Sequence, residues 1–172
     1  MDDFLKYLTE RQRKALLSLV DSLEYTKGEI ILAEGERRCA IFLIREGAVR
    51  VERAHMGFNV EISLLQAGEI FGEMSFVEEF GASASVVAQS DVKVDVIAEA
   101  HVEAVGREDR SFFGGFYRSV AEVLSRRLRE TTVRSISEYS WGGFGEFNDS
   151  RPEPSDSWGG GSPLRESLTE GK

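Results

Sequence analysis

Residues 71–88 read FGEMSFVEEFGASASVVA, and the fold turns on this stretch. An apolar run ends near Ile70, and a Gly-Glu pair follows. Then come a short apolar helical segment, a loop of Gly, Ala and Ser, and a second apolar run. A short helix that starts at Gly72 offers unpaired N–H groups and the positive end of its dipole. Small side chains at 81–85 let a ligand come close to the backbone. Together these features read as an anion cradle, and Glu73, among apolar neighbours, wants hydrogen-bond donors such as a sugar's hydroxyl pair. Taken alone the pattern also fits an ordinary turn, with Glu73 as a helix N-terminal charge.

The stretch sits between regions of different period. Before it, Leu16, Leu17, Val20 and Leu23 predict an amphipathic helix over 10–24, with Thr9 as its cap and Glu10 in its first turn. From Gly28 the period drops to two. Val49 and Val51 alternate with Arg50 and Glu52, Val60, Ile62 and Leu64 with Glu61 and Ser63, and Val92, Val94 and Val96 with Lys93 and Asp95. Glycines at 28, 35, 47, 57, 68 and 81 punctuate these runs. Short strands with turn signals every 8–12 residues point to a sandwich or barrel. After residue 110, Phe113, Tyr117, Val120, Leu124 and Leu128 restore a helical spacing, a seam suited to a second helix. Gly114 and Gly115 predict a weak first turn with a kink or break.

The chain has 172 residues and a net charge of −9. Charged residues make up 30% and hydrophobic ones 41%, the composition of a globular protein with room for one ordinary domain. Apolar runs fall short of the ~18 residues a spanning helix needs, and the acidic start MDDFLKYLTERQ is unlike a secretory leader. No membrane association is expected, and a single cysteine fits a cytoplasmic setting. All three prolines lie after residue 151, in a Gly- and Ser-rich stretch. We read 138–172 as a disordered tail carrying −4, which leaves −5 on residues 1–137. Ser-Trp-Gly-Gly occurs at 140–143 and again at 157–160. Trp141 and Trp158 are therefore candidate anchors for a protein partner, two copies acting multivalently. Chance in a Gly/Ser-rich segment gives the same pattern, as does a tail that folds back on its own domain.

Across about 1–135 the sequence resembles the cyclic-nucleotide-binding domain family, found in catabolite-activator-type regulators and kinase regulatory subunits. The resemblance rests on KGEIILAEGE at 27–36, IFLIREGAVRV at 41–51, LLQAGEIFGEMSF at 64–76, ASASVVA at 82–88 and FYRSVAEVLSRRLRETT at 116–132. It implies a mainly β fold with flanking helices, a double-stranded β-helix or jelly roll. N-terminal helices would occupy 1–24, the cyclic-nucleotide-binding-like β-roll 25–100, and C-terminal helices, one of them long, 101–137. It also implies a ligand site at Gly72, Glu73, Met74, Ser75, Ala82, Ser83, Ala84 and Val86. Glu73 would accept the ribose 2′-hydroxyl, backbone N–H groups would face the sugar-phosphate, Ser83 would meet the cyclic phosphate, and Val86 would pack near the base. The ligand so implied is a cyclic nucleotide (cAMP or cGMP) or another nucleotide-like anion.

The sequence departs from the family at one point. The usual Pro-Arg pair is Gly81-Ala82 here, so the arginine that neutralises the phosphate is missing. A charge-assisted hydrogen bond contributes about 1.5–3 kcal/mol, so its loss weakens binding roughly 10- to 100-fold. Three readings stand: weak binding of an ordinary cyclic nucleotide, a charge from another arginine, or a roll that binds something else or nothing. Arg126 and Arg127 either lie on the surface of the long helix or reach back over the pocket.

Other residues carry less. Cys39 is read as packing, since one cysteine cannot hold an iron–sulfur cluster. His55 and His101 have no ligand spacing, and Glu78-Glu79 read as a solvated face. There is no G-x-S-x-G and no phosphate-binding G-x-x-x-x-G-K-[ST], so no enzyme is expected. DNA binding is not expected either, because the acidic tail lacks a basic recognition face. Two functions follow. One is a regulatory sensor, a homodimer through 113–128, that signals through its last helix and tail to a protein partner. The other is a degenerate roll acting as an adaptor or scaffold through the repeated tail motif.

Overall fold

The computed structural model describes residues 3–78 and 80–141, the side chains of 3 and 134–141 excepted. The chain divides into two units, Met1–Arg134 and Ser135–Lys172, and the elements that form the roll and its site lie in the first. A 3-10 turn at Asp3–Leu5 precedes α1 (Glu10–Leu17). Then follow β1 (Asp21–Tyr25), β2 (Ile30–Leu32), β3 (Ala40–Glu46), β4 (Ala48–His55), β5 (Phe58–Gln66) and β6 (Ile70–Phe71). After these come α2 (Glu73–Glu78), β7 (Ser85–Ala88), β8 (Val92–Ala98), α3 (Glu99–Glu108) and α4 (Ser111–Trp141). The strands form two antiparallel four-stranded sheets, ordered β1-β8-β3-β6 and β2-β7-β4-β5. This is the mainly β roll with flanking helices that the sequence implies.

Strand β3 explains the layering. Ala40 to Ile44 are all buried, so the strand is covered on both faces. Side chains in a strand alternate between faces. Phe42 and Ile44 join the core between the two sheets, with Val49, Leu65, Phe71, Val86 and Val94. Ile41 and Leu43 join a second core against the helices, with Leu16, Ile97, Phe112 and Phe116. Phe116 is fully buried at the centre of the second core, its ring 6.1 Å from Phe4, 5.9 Å from Phe76 and 5.6 Å from Phe112.

Helix α1 begins where expected. The Thr9 hydroxyl accepts the Gln12 N–H at 3.3 Å, and the Gln12 side chain accepts the Thr9 N–H at 2.9 Å. It ends at Leu17, however, and Leu23 lies on β1, which corrects the helix expected over 10–24. Leu23 and Tyr25 also alternate with Ser22 and Glu24, so both periods fit this stretch. Pairing decides between them, since β1 satisfies its backbone along β8 with Leu23 opposite Val94. The roll therefore begins at residue 21 rather than 25. The buried Gln12 amide then donates to Asp109 at 2.7 Å, tying α1 to the turn before α4.

Helix α4 corrects a second expectation. It runs through Gly114 and Gly115 without a break. A Cβ at Gly115 would lie 2.7 Å from the Tyr7 carbonyl oxygen, so this glycine lets the N-terminal segment lie close against the helix. The seam is also divided. Val120 is buried in the helix-side core, with Phe113 and Leu124 packed against it, while Tyr117 and Leu128 remain exposed. The buried stripe is Phe112, Phe116, Val120 and Val123.

Replacing Phe116 with Ala is expected to destabilise the domain by about 3–5 kcal/mol, because the ring is fully enclosed and the cavity cannot collapse from one side. Urea unfolding followed by circular dichroism measures this. A loss below about 1 kcal/mol would show that the helix layer does not share a core with the roll.

Candidate functional site

The candidate residues gather where β6 leads into α2 and the loop returns to β7. Gly72 adopts φ +82°, and a Cβ there would stand 2.6 Å from the Ala40 carbonyl oxygen and 3.1 Å from Cδ2 of Phe42. Only glycine fits so close to β3 in that conformation. It turns the chain so that Glu73 opens α2 with its side chain buried, 4% exposed. Ser75, two residues further on, is also buried, while Met74 is exposed.

Glu73 does not stand alone. Its carboxylate accepts a short hydrogen bond from Nη1 of Arg127 on α4, and Nη2 of the same guanidinium donates to the Ile70 carbonyl. One planar fork thus closes over both the start of β6 and the start of α2. This is the reach-back position for Arg127, and it leaves Arg126 exposed on the helix surface.

The loop half of the site is held differently. Ala82 is buried, its N–H donates to the Glu36 carbonyl at 2.9 Å, and its own carbonyl accepts from Gly35 at 2.8 Å. The Ala82 amide is therefore committed to the 35–36 turn and is not a donor for an anion. Among the described residues the N–H groups of Ser83 and Ala84 have no protein partner. Ser83 is exposed, and its hydroxyl lies 3.6 Å from Sδ of Met74, so the two halves of the cassette meet at Met74 and Ser83. Ala84 is buried. Ala82 and Val86 join the core between the sheets, in the cluster that holds Phe42 and Phe71, whose rings stack 4.7 Å apart. The structure thus turns Ala82 and Val86 toward the roll interior and the Glu73 carboxylate toward α4.

Sequence reading passed over Arg38. It is half-buried in the turn before β3, with its guanidinium 4.9 Å from the centre of the Phe42 ring. No motif signals it, because its placement depends on where Phe42 lies in the fold. Cys39, beside it, is exposed rather than packed in a core. His101 accepts the Ala98 N–H at 3.3 Å at the start of α3, and His55 is exposed at the end of β4. Among the described residues no three His, Cys, Asp or Glu side chains group as metal ligands, and no helix is long and apolar enough to cross a membrane. Glu78 is exposed; Glu79, Trp158 and the second Ser-Trp-Gly-Gly lie outside the described residues, and Trp141 ends α4 with its side chain outside them too.

A cavity of about 370 Å³ opens elsewhere, between the N-terminal turn, the β5–β6 turn and α4. Phe4, Lys6, Tyr7, Gly68, Ser119 and Arg126 help line it. There Lys6, and then Tyr7, donate to Glu122 and hold its carboxyl below its usual value.

A roll interrupted by a Gly-Glu helix and a small-residue loop, with the last helix reaching that glutamate, defines a regulatory β-roll domain. Residues 22–109 match the cyclic nucleotide-binding domain, half of the chain, and the protein belongs to that family. A cyclic AMP receptor protein from Thermus thermophilus is 35% identical over 63% of this chain and 49% of its own length. A cAMP-dependent protein kinase regulatory subunit from Mycosarcoma maydis is 26% identical over 72% of this chain and 22% of its own. The chain thus spans half or less of these relatives. Among solved structures, the Thermus thermophilus catabolite activator protein superposes with a TM-score of 0.68 at 29% identity, covering 79% of this chain and 62% of that one. A cyclic nucleotide-binding domain from Methylobacillus flagellatus gives 0.72 at 22% identity, over 76% and 74% of the two chains, a likeness of fold.

The Arg127–Glu73 pair should couple energetically. In a double-mutant cycle of Arg127→Ala and Glu73→Gln, we expect a coupling of about 1–3 kcal/mol in unfolding free energy. Arg127→Ala alone should cost more than the double variant, because it leaves a buried carboxylate without its partner. Additive effects in urea melts would mean that the pair does not hold α4 to the cassette.

Proposed function

We propose that this domain binds a cyclic nucleotide, cAMP or cGMP, or a related nucleotide-like anion at its Gly72–Val86 cassette, and reports occupancy through α4. The observation that carries this is the hold of Arg127 on Glu73. In the family that the chain resembles, this carboxylate accepts the ribose hydroxyl. Ligand and helix therefore share one carboxylate, of which Arg127 holds Oε1, and a hydroxyl pair that draws both oxygens competes with it. A ligand that takes Glu73 releases Arg127, and a ligand shifts an equilibrium by its different affinity for the two states. The free N–H groups of Ser83 and Ala84 support an anion at the loop.

The reading extends to what surrounds the domain. The protein acts as a cytoplasmic regulator without catalysis of its own, without DNA and without membrane contact. It forms a homodimer through the exposed part of the 113–128 seam, and the tail of 138–172 delivers the signal to a protein partner through Trp141 and Trp158. Titration calorimetry with cAMP, cGMP and cyclic dinucleotides tests the ligand step. Binding by the wild-type chain is expected, with affinity about tenfold higher in Arg127→Ala as the competitor for Glu73 is removed. No heat and no thermal shift with any of them at millimolar concentration would end the sensor reading.

A second reading has its own observation. Glu73 is already satisfied inside the protein and Ala82 carries no charge, as in a roll kept for its shape. Such a roll serves as an adaptor that works through the tail. A pull-down with the full chain and with 138–172 removed discriminates this. The adaptor reading expects the partner set to vanish on truncation, and an unchanged set would refute it.

A further inference from the structure

We infer that Arg38 carries the positive charge that the cassette lacks at position 82, and that it binds the anionic phosphodiester of the ligand. This inference rests on the nucleotide reading of the site given above and adds to it the residue that recognises the charge.

The turn that carries Arg38 is built onto the cassette. Gly35 and Glu36 bond to both backbone groups of Ala82, at 2.8 and 2.9 Å. A Cβ at Gly81 would meet the Gly35 carbonyl oxygen at 2.5 Å, so the two strips of backbone touch. From there the chain leads directly to Arg38. Its guanidinium lies over the Phe42 ring, 4.9 Å from the ring centre. That ring also presses on Gly72, with Cδ2 at 3.1 Å from where a Cβ would be. Arg38 is thus fixed to the 81–82 loop by backbone on one side, and lies one ring away from Gly72 on the other. These are the two segments between which an anion would sit.

The charge is also uncommitted. Among the described residues Arg38 has no carboxylate partner. The acids near it in sequence are turned elsewhere. Glu34 faces Arg53 at 3.5 Å and the Ala54 N–H at 3.2 Å, and Glu36 accepts the Ala33 N–H at 2.9 Å. Glu73 is held by Arg127. A guanidinium held over an aromatic face by cation–π attraction still has its N–H donors available for a bidentate oxygen pair. A phosphodiester supplies two such oxygens with one negative charge. The geometry therefore transfers the role of the missing side chain from the loop to the facing turn, without a change in the roll.

Calorimetry on the full chain with cAMP and with adenosine, which lacks the phosphate, tests this. Arg38→Gln is expected to lose tenfold or more in cAMP affinity while adenosine binding is unchanged. Should Arg38→Gln fail to fold, Arg38→Lys decides, with a smaller loss for cAMP and none for adenosine. Equal affinities of wild type and Arg38→Gln for cAMP would overturn the assignment and leave the nucleotide site standing. Parallel losses for cAMP and adenosine would overturn it as well, because they mark a loss of structure and not of charge. A wild-type chain that binds neither cAMP nor cGMP would remove the site and the assignment together.

Discussion

Strand β3 is covered on both faces, and the rest of the domain depends on that. A half-buried strand would need one core; this one separates two. Burying an aliphatic or aromatic side chain contributes about 1.5–3 kcal/mol, and five consecutive residues of β3 are buried in alternating directions. The helix layer thus docks onto the back of a strand whose front lines the roll. A shift of β3 is felt on both sides, because packed interiors leave little free volume. Phe42 shows this directly. It stacks on Phe71, abuts Gly72 and supports Arg38, while its neighbours Ile41 and Leu43 meet the core formed with α3 and α4.

The Arg127–Glu73 contact belongs to the same frame. A buried carboxylate is expensive to desolvate, and its guanidinium partner offsets that cost only when the geometry is good. Here the same fork takes both the carboxylate and the Ile70 carbonyl, so α4 is bonded to the two backbone segments that flank Gly72. Seen from α4, its apolar stripe fixes the first half, and Arg127 is where the helix bonds to the cassette. A device of this kind needs no long pathway. The carboxylate that opens α2 and its donor on α4 are in direct contact, so on the proposed reading a ligand at that carboxylate alters the hold on the helix.

Much of this was legible in the sequence, for physical reasons that differ by element. The strands showed through period-two alternation, and the turns through glycines that must take positive φ, Gly72 among them. Helix α4 showed through its apolar spacing. The stretch after Leu17 misled, because Leu23 fits a helical and a strand period equally, and only the pairing with β8 decides. Gly114 and Gly115 misled because helix propensity is local, whereas the reason for Gly115 is the Tyr7 carbonyl, more than a hundred residues away in sequence. On β5 the alternation of Val60, Ile62 and Leu64 signalled the strand but not its covering, for these side chains are exposed. At the site, Glu73 was legible from its motif. Its contact with Arg127 and the placement of Arg38 over Phe42 were not, since both join residues that only the folded roll brings together.

Charge at a distance cannot draw an anion to this domain. The chain carries −9 overall, and at physiological ionic strength such a field is screened within about 8 Å. Attraction must come from groups inside that distance, where little water intervenes. Two guanidiniums border the cassette. Arg127 already spends its charge on Glu73, so it gives a bound anion little net attraction until that pair opens. Arg38 spends none, and its ring contact with Phe42 weakens neither its charge nor its edge donors. The two arginines therefore have separate consequences for a ligand. On the proposed reading, Arg38 sets how strongly the anion is held, and Arg127 sets how much of that binding goes into releasing the helix. That reading expects a substitution at the first to change affinity without changing the coupling, and one at the second to change the coupling even where the anion is still held.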